Sequence, residues 1–188
     1  HLRILAVQVS LVRRSGHGFY RLRESGMASV RRVVVLGYGL AGRLFHAPFI
    51  AATPGLELAA VVTGDEGRRA QALADYPGVT VFDKAEEVWA RAAELDLVAV
   101  ATPNRVHVPL ALAALDAGLA VVVDKPLATT ADEGRRLVEA AREHGLMLTV
   151  FQNRRWDGDF LTVKRLLADD ALGKVHRFES RFERWRPE

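Results

Sequence analysis

The sequence contains no cysteine and no long apolar stretch, and aromatic residues make up only 7% of it. The lack of cysteine excludes a disulfide-stapled scaffold, a zinc finger, an iron–sulfur protein and a cysteine nucleophile. No segment reaches the roughly 18 to 20 uninterrupted apolar residues that a membrane-spanning helix needs, so we expect no membrane partner. What is present is a chain of 188 residues, 49% hydrophobic and 26% charged. Such a chain is too apolar to be disordered and can form one packed domain and part of another.

The positive charge of the chain is concentrated at its amino terminus. The formal net charge is +3, yet residues 1–26 hold five arginines against a single acidic residue, Glu24. The rest of the chain is therefore close to neutral, and we expect no nucleic-acid partner. The segment also lacks the continuous apolar stretch and the small-residue cleavage site of a signal peptide. We interpret residues 1–26 as a non-native or disordered extension, Met27 as the natural start and the cytoplasm as the location.

From residue 32 onward, apolar runs alternate with segments of helix length. The candidate strands are continuously apolar and rich in β-branched residues: 32–36, 58–63, 79–82, 95–101, 119–123 and 147–151. The candidate helices lie between them: 41–52, 66–74, 84–93, 106–117 and 130–144. Runs of the first kind are typical of parallel strands that are buried on both faces. The pattern predicts a Rossmann-type, doubly wound parallel α/β sheet over residues 27–151.

The pattern changes after Phe151. Asp157 or Asp159 can cap a helix that continues to Leu167. Residues 175–185 then alternate between apolar and charged side chains, which is typical of an antiparallel strand with one solvent-exposed face. We interpret residues 152–188 as the truncated start of a second α/β domain that would hold substrate and form the oligomer interface.

A glycine-rich loop lies between the first candidate strand and the first candidate helix. Its residues are Gly37, Tyr38, Gly39, Leu40, Ala41 and Gly42. In a G-x-G-x-x-G loop the first glycine permits a tight turn, the second lets a pyrophosphate approach the backbone, and the third allows close helix packing. The position of the loop in a βαβ unit favours dinucleotide binding. A purely structural turn and an S-adenosylmethionine site are the alternatives.

The end of the second candidate strand bears on the choice between NAD and NADP. Thr63 and Gly64 stand where an NAD enzyme usually has an acidic residue, and Arg68 follows one helical turn later. An arginine attracts a 2′-phosphate that a carboxylate repels, so we predict NADP. Asp65 keeps NAD possible, and Arg68 and Arg69 are equally consistent with an ordinary solvated helix face.

Two further loops follow the fourth and fifth candidate strands, at the edge where open α/β sheets bind ligands. The first contains Thr102, Pro103, Asn104 and His107, and the second contains Asp124, Lys125 and Pro126. Together with the glycine loop, these T-P-N-x-x-H and D-K-P motifs resemble the Gfo/Idh/MocA family, the dehydrogenases related to glucose-fructose oxidoreductase and inositol dehydrogenase. The segments 45–48 (F-H-A-P) and 151–161 look more narrowly like its NADP-dependent scyllo-inositol dehydrogenase subgroup. The resemblance covers residues 33–187.

The resemblance implies roles for individual residues. Lys125 would be the catalytic lysine, in a dry cleft beside the nicotinamide. The cofactor would be contacted by both strand-end loops, that is by Thr102, Pro103, Asn104, His107, Asp124 and Pro126, and by Asn153, Arg154 and Trp156 near the nicotinamide. The family more often has Glu before this lysine than Asp. Its second catalytic element, an Asp and a His four residues apart, has no counterpart here, so we expect an amino-terminal portion of a longer enzyme.

Two functions remain open from the sequence. The first is an NAD(P)-dependent dehydrogenase of a sugar or cyclic polyol, inactive as this portion alone and a homo-oligomer when complete. The second is a non-catalytic, regulatory dinucleotide-binding module on the same fold. The six histidines have no metal-ligand spacing, so we predict no metal site. We expect His46 to lie on a helix surface.

Overall fold

The structure is a computed structural model that describes residues 30–183 and 185. Its described residues divide between Phe151 and Gln152 into two compact units. The extension expected at residues 1–26 lies outside the described residues.

The first unit is built on one six-stranded parallel sheet. The strands are β1 (Arg31–Leu36), β2 (Leu56–Val62), β3 (Thr80–Phe82), β4 (Leu97–Val100), β5 (Ala120–Asp124) and β6 (Leu148–Phe151). Their spatial order is β3-β2-β1-β4-β5-β6. This is the order of a Rossmann fold, and it confirms the predicted fold class for this unit.

Helices connect the successive strands. They are α1 (Ala47–Ala52), α2 (Glu66–Asp75), α3 (Ala85–Trp89), α4 (His107–Asp116) and α5 (Ala131–Glu143). Single turns occupy Ala92–Glu94 and Asn104–Val106. The start of α5 shows why these segments form helices where they do: Thr130 accepts a hydrogen bond from the Glu133 amide, and Glu133 accepts one from the Thr130 amide. Such reciprocal capping satisfies two amides that a helix end leaves without partners.

The helix predicted over residues 41–52 is not a single α-helix. Residues Gly42–His46 form a π-helical segment in which the Ala47 amide donates to the Gly42 carbonyl, and α1 follows. Pro48 lies at the start of α1 and has no amide proton to donate to the preceding turn. The wider turn places this proline at the beginning of α1, where a missing N–H costs nothing.

The core lies on both faces of the sheet because β1 and its neighbours are buried on both sides. Val34 and Leu36 point into one apolar cluster, whereas Val33 and Val35 point into the other. All four side chains are at most 1% exposed. Alternate residues of a strand face opposite sides, so a continuous apolar run is what such a central strand needs.

The second unit contains a short turn at Asn153–Trp156, the helix α6 (Gly158–Ala168) and an irregular segment after it. The predicted helix is confirmed, but Asp157 makes no side-chain cap and instead accepts from Arg154. The strand predicted over residues 175–185 is wrong for the residues described there, 175–183 and 185. Phe178 and Phe182 are more than 70% exposed. A strand forms only where a neighbour completes its hydrogen bonds, and this unit provides none within its described residues.

Candidate nucleotide-binding site

The glycine loop joins β1 to the π-helical segment at the point where the strand order reverses. Its first glycine, Gly37, has φ +93°, a conformation that side chains rarely adopt. A Cβ at this position would lie 2.8 Å from the carbonyl oxygen of Ala101, just after β4. The loops after β1 and β4 therefore adjoin, and their contact requires glycine.

The other two glycines of the loop differ in their surroundings. A Cβ on Gly42 would lie 1.9 Å from the Gly37 carbonyl oxygen and 3.3 Å from Val35. The helical segment thus packs directly on the turn and on β1. A Cβ on Gly39 would meet only Nη1 of Arg68, at 3.9 Å. The backbone of Gly39 is therefore open to a group that approaches it, as a pyrophosphate does in nucleotide-binding loops of this kind.

A cavity of about 380 Å³ extends from this loop to the first turns of α2. It is lined by Tyr38, Gly39, Leu40, Arg43, Leu44, Asp65, Gly67, Arg68 and Gln71. The structure thereby brings together much of the glycine loop and Arg68, as the sequence predicts. Gly64, an exposed residue, and Thr63, a buried one, lie at the carboxyl end of β2 just before α2.

Asp65 and the two arginines of α2 have separate environments. Asp65 caps α2, because its Oδ1 accepts a hydrogen bond from the Arg68 amide at 2.8 Å. Arg69 turns away from the cavity and pairs with Asp83 and the Val81 carbonyl. Arg68 is thus the member of the pair that faces the cavity.

A carboxylate that the sequence did not single out organises the outer wall of the cavity. Asp75 accepts hydrogen bonds from the Tyr38 hydroxyl at 2.8 Å, from Nε of Arg43 at 3.1 Å and from Nε2 of Gln71 at 2.7 Å. The bond from Tyr38 is the largest of the influences that lower the pKa of Asp75. Burial and the neighbouring carboxylate raise the pKa of Tyr38. Its phenol therefore stays protonated and continues to donate.

Sequence reasoning missed the lining residues Arg43, Leu44, Gly67 and Gln71, and also Asp75, which binds two of them. Arg43 directly follows the last glycine of the loop, and this position next to the motif could have identified it as a site residue. Asp75 is ten residues beyond Asp65, and nothing local distinguishes it from other exposed acids.

His107 joins the two loops that the sequence placed near a cofactor. Its Nδ1 lies 2.8 Å from the Pro126 carbonyl and its Nε2 lies 2.8 Å from the Thr102 carbonyl. The ring is 1% exposed. Because both nitrogens face carbonyl oxygens of the chain itself, His107 positions the loops after β4 and β5 and has no free nitrogen for a ligand. Pro103 and Asn104 are exposed on the first of these loops.

Lys125 lies on the exposed loop that follows β5, with Pro126 after it. Its amide donates to Oδ1 of Asp124 at 2.8 Å, so Asp124 shapes the backbone from which the lysine projects. Lys125 follows the last residue of β5 and is exposed, and its place in a dry cleft beside the nicotinamide stays a prediction.

His46 corrects the expectation of a helix-surface histidine. It is 4% exposed and lies in the π-helical segment, with its ring centroid 4.4 Å from that of Phe151. Its Nε2 has no hydrogen-bond partner within the described residues and lies 4.0 Å from Oδ1 of Asp124. Burial lowers the pKa of His46, and the charge of Asp124 opposes that shift.

The remaining predicted site residues, Asn153, Arg154 and Trp156, belong to the second unit. They lie on its first turn, where Trp156 is exposed and Arg154 stacks over the Phe182 ring at 5.0 Å. Their contact with a nicotinamide stays a prediction.

The described residues contain neither a cluster of metal ligands nor a membrane-spanning helix. Within residues 30–183 and 185 no three His, Asp or Glu side chains converge as metal ligands. In the same part of the chain no helix has the length and apolar character to cross a membrane.

The glycine loop at the strand-order reversal, with its adjoining cavity, defines a dinucleotide-binding Rossmann domain. Residues 31–152 match the Gfo/Idh/MocA family, described as an oxidoreductase family with an NAD-binding Rossmann fold. The match spans more than half of the chain, and the protein belongs to this family. The resemblance seen in the sequence is therefore confirmed.

Individual relatives share the same region. The chain is 49% identical to the uncharacterized oxidoreductase YdgJ of Escherichia coli, covering 84% of this chain and 44% of that protein. It is 37% identical to IolW of Bacillus subtilis, named as an NADP(+)-dependent scyllo-inositol 2-dehydrogenase, over 84% of this chain and 43% of the relative. The solved structure of the oxidoreductase YPO2259 from Yersinia pestis is 47% identical, with a TM-score of 0.81 and coverage of 88% and 46%. The chain thus spans a little under half the length of these relatives.

Proposed function

We propose that this chain is the cofactor-binding part of an NADP-dependent dehydrogenase that oxidises a sugar or a cyclic polyol of the inositol type. The observation that carries the proposal is the cavity beside the open backbone of Gly39, with Arg68 on its wall. The name of the relative IolW supports the substrate class and the cofactor.

The open glycine backbone and the two arginines on the cavity wall support the binding of a dinucleotide's phosphate groups. The Gly39 backbone can approach a pyrophosphate, and the π-helical segment begins directly behind it. Asp65 caps α2 through Oδ1, and Oδ2 of its carboxylate could still accept from the ribose of NAD. The cationic Arg68 on the same wall favours a 2′-phosphate instead.

Lys125 is the residue to which we assign proton transfer. A nicotinamide held beside this loop would supply the acceptor for the hydride that leaves the substrate carbon, so that the alcohol would become a ketone. Lys125 takes the hydroxyl proton in this direction and returns it in the reverse reaction. Its backbone is fixed on one side by Asp124 and on the other by the Pro126 carbonyl, which lies against His107.

We also propose that the complete protein is a cytoplasmic homo-oligomer that associates through its second domain. Support comes from the large apolar side chains exposed on the second unit, among them Phe160, Phe178 and Phe182.

Two measurements test the function. Gly39→Val places a branched side chain at the open backbone and should weaken NADPH binding to this chain at least about 10-fold, or roughly 1.4 kcal/mol. In a full-length version, Lys125→Met should leave NADPH affinity within a few fold and lower polyol oxidation by about 10²-fold. Equal NADPH affinity in the wild type and the Gly39 variant would refute the binding site. Cofactor binding without polyol turnover in the full-length wild type would favour the non-catalytic module.

A further inference from the structure

The cavity wall carries a second cation besides Arg68. Arg43 lines the same cavity from the π-helical segment, whereas Arg68 lines it from α2. We propose that Arg43 is a second specificity determinant for the 2′-phosphate of NADP and that Asp75 positions it. This inference rests on the proposed function, because it concerns the same nucleotide site.

The hydrogen bonds of Arg43 leave one edge of its guanidinium available. Nε donates to Oδ2 of Asp75 at 3.1 Å. Within the described residues neither Nη atom of Arg43 has a hydrogen-bond partner. A guanidinium is a rigid planar group with five N–H donors, so fixing Nε also fixes the direction of the two Nη groups. Two parallel N–H donors match the geometry of a phosphate.

Asp75 is itself held in place. Its Oδ2 accepts from the buried Tyr38 hydroxyl as well as from Arg43, and its Oδ1 accepts from Gln71, one helical turn earlier on α2. Tyr38 is 1% exposed, so this end of the network is anchored in the core. The wall residue Arg43 is therefore tied to the packed interior through a single carboxylate.

The charges around the cavity favour a dianion. Arg43 and Arg68 line the cavity, together with the single acid Asp65, whose Oδ1 is engaged as the cap of α2. Asp75 is not part of the lining, and its carboxylate accepts three hydrogen bonds. A phosphate monoester carries a charge of about −1.5 to −2 at neutral pH. An NAD ribose has no such charge, so a pair of arginines here discriminates between the two cofactors.

An ordinary surface ion pair is the competing explanation of the Arg43–Asp75 contact. Arg43 is about half exposed, and exposed pairs contribute little to folding. That explanation predicts an equal effect of Arg43 substitutions on NADPH and NADH binding. The proposed role predicts an effect on NADPH alone.

The experiment compares dissociation constants for NADPH and NADH, measured by fluorescence titration of the 188-residue chain and its variants. Arg43→Gln should weaken NADPH about 10-fold and leave NADH within about 2-fold. Arg135→Gln removes a charge from an exposed pair on α5 with Asp132 and is the matched control, which should change neither. Titration with adenosine 2′,5′-bisphosphate and with adenosine 5′-monophosphate should reproduce the difference, and the 2′-phosphate effect should shrink at high salt.

The variant Asp75→Asn tests whether Asp75 acts by positioning Arg43 or only through the negative charge of its carboxylate. If Asp75 only repelled the phosphate, its neutralisation would tighten NADPH binding. Positioning predicts weaker NADPH binding with NADH unchanged, and thermal melting shows whether the variant is folded. Unchanged or tighter NADPH binding in folded Asp75→Asn would overturn the role of Asp75.

The outcomes for the inference and for the proposed function are distinct. A wild-type chain that binds NADPH and NADH equally would refute the NADP preference itself. A wild-type chain that prefers NADPH, with the preference intact in Arg43→Gln, would refute the role of Arg43 and leave the function standing.

Discussion

Replacing Gly42 with alanine should destabilise the fold, although it adds only one methyl group. The new Cβ would lie 1.9 Å from the Gly37 carbonyl oxygen and 3.0 Å from its carbon. The shorter distance is more than 1 Å below the 3.0 Å under which real Cβ atoms are essentially never found. Both atoms it meets belong to the backbone, so no flexible side chain can move aside. The segment Gly42–His46 must shift away from β1 instead.

The cost of that shift is about 3 kcal/mol, at the upper end of the usual range for overpacking a core. Stability of a domain is commonly about 5–15 kcal/mol, so this is a large fraction of the total. For a unit of this size the melting temperature should fall by about 10 °C.

Gly39→Ala is the matched comparison for this experiment. Its Cβ would meet only Arg68 Nη1 at 3.9 Å, and its backbone conformation suits alanine. We expect the melting temperature to stay within about 2 °C of the wild type while NADPH affinity falls, because the methyl group occupies the open backbone surface. Differential scanning calorimetry of both variants gives the test. A Gly42→Ala melting temperature within about 2 °C of the wild type would contradict the packing argument.

Three further predictions concern residues outside the glycine loop. Leu137→Ala, at a fully buried position of α5, should lower the free energy of unfolding by about 2–5 kcal/mol in urea titrations. A loss below about 1 kcal/mol would indicate that the neighbouring side chains move in to fill the space left by the leucine. His107→Leu should lower the free energy of unfolding by about 1–3 kcal/mol and also weaken nucleotide binding, because it removes the buried ring that bridges the Thr102 and Pro126 carbonyls. Isothermal titration calorimetry should detect the loss, and wild-type affinity would argue against the positioning role. Burial lowers the pKa of His46, so the unfolded chain takes up a proton near the ordinary value of 6.5 before the folded chain does, and stability should be greatest above this pH and fall as the pH is lowered through it. His46→Gln should flatten that dependence between pH 7 and 5 in denaturation curves, and an unchanged slope would exclude His46 as its source.

The parallel sheet could be predicted because β1, β2, β4 and β5 each contain a continuous apolar run that is largely buried, and burial on both faces of a strand is typical of a parallel sheet. The spacing of the glycines likewise placed the turn after β1, since Gly37 and Gly42 are required by local backbone contacts. These features depend on residues close together in the sequence.

The parts that could not be predicted depend on contacts between distant residues. Asp75 accepts a hydrogen bond from Tyr38, which is 37 residues away in the sequence, and no local pattern predicts that contact. His46 is buried because Phe151, at the end of the last strand, covers its ring. The alternation of residues 175–183 satisfies the local requirement for a strand but not the need for a neighbouring one.

The part of the cavity wall that α2 forms depends on the number of residues between its polar side chains. Arg68, Gln71 and Asp75 are three and four residues apart, so they share one face of the helix. Adding or deleting one residue between them would rotate Asp75 by about 100° around the helix axis and carry it away from Tyr38 and Arg43. Natural length variation in this region should therefore fall in the turn at residues 76–79, where a change leaves the register of that face intact.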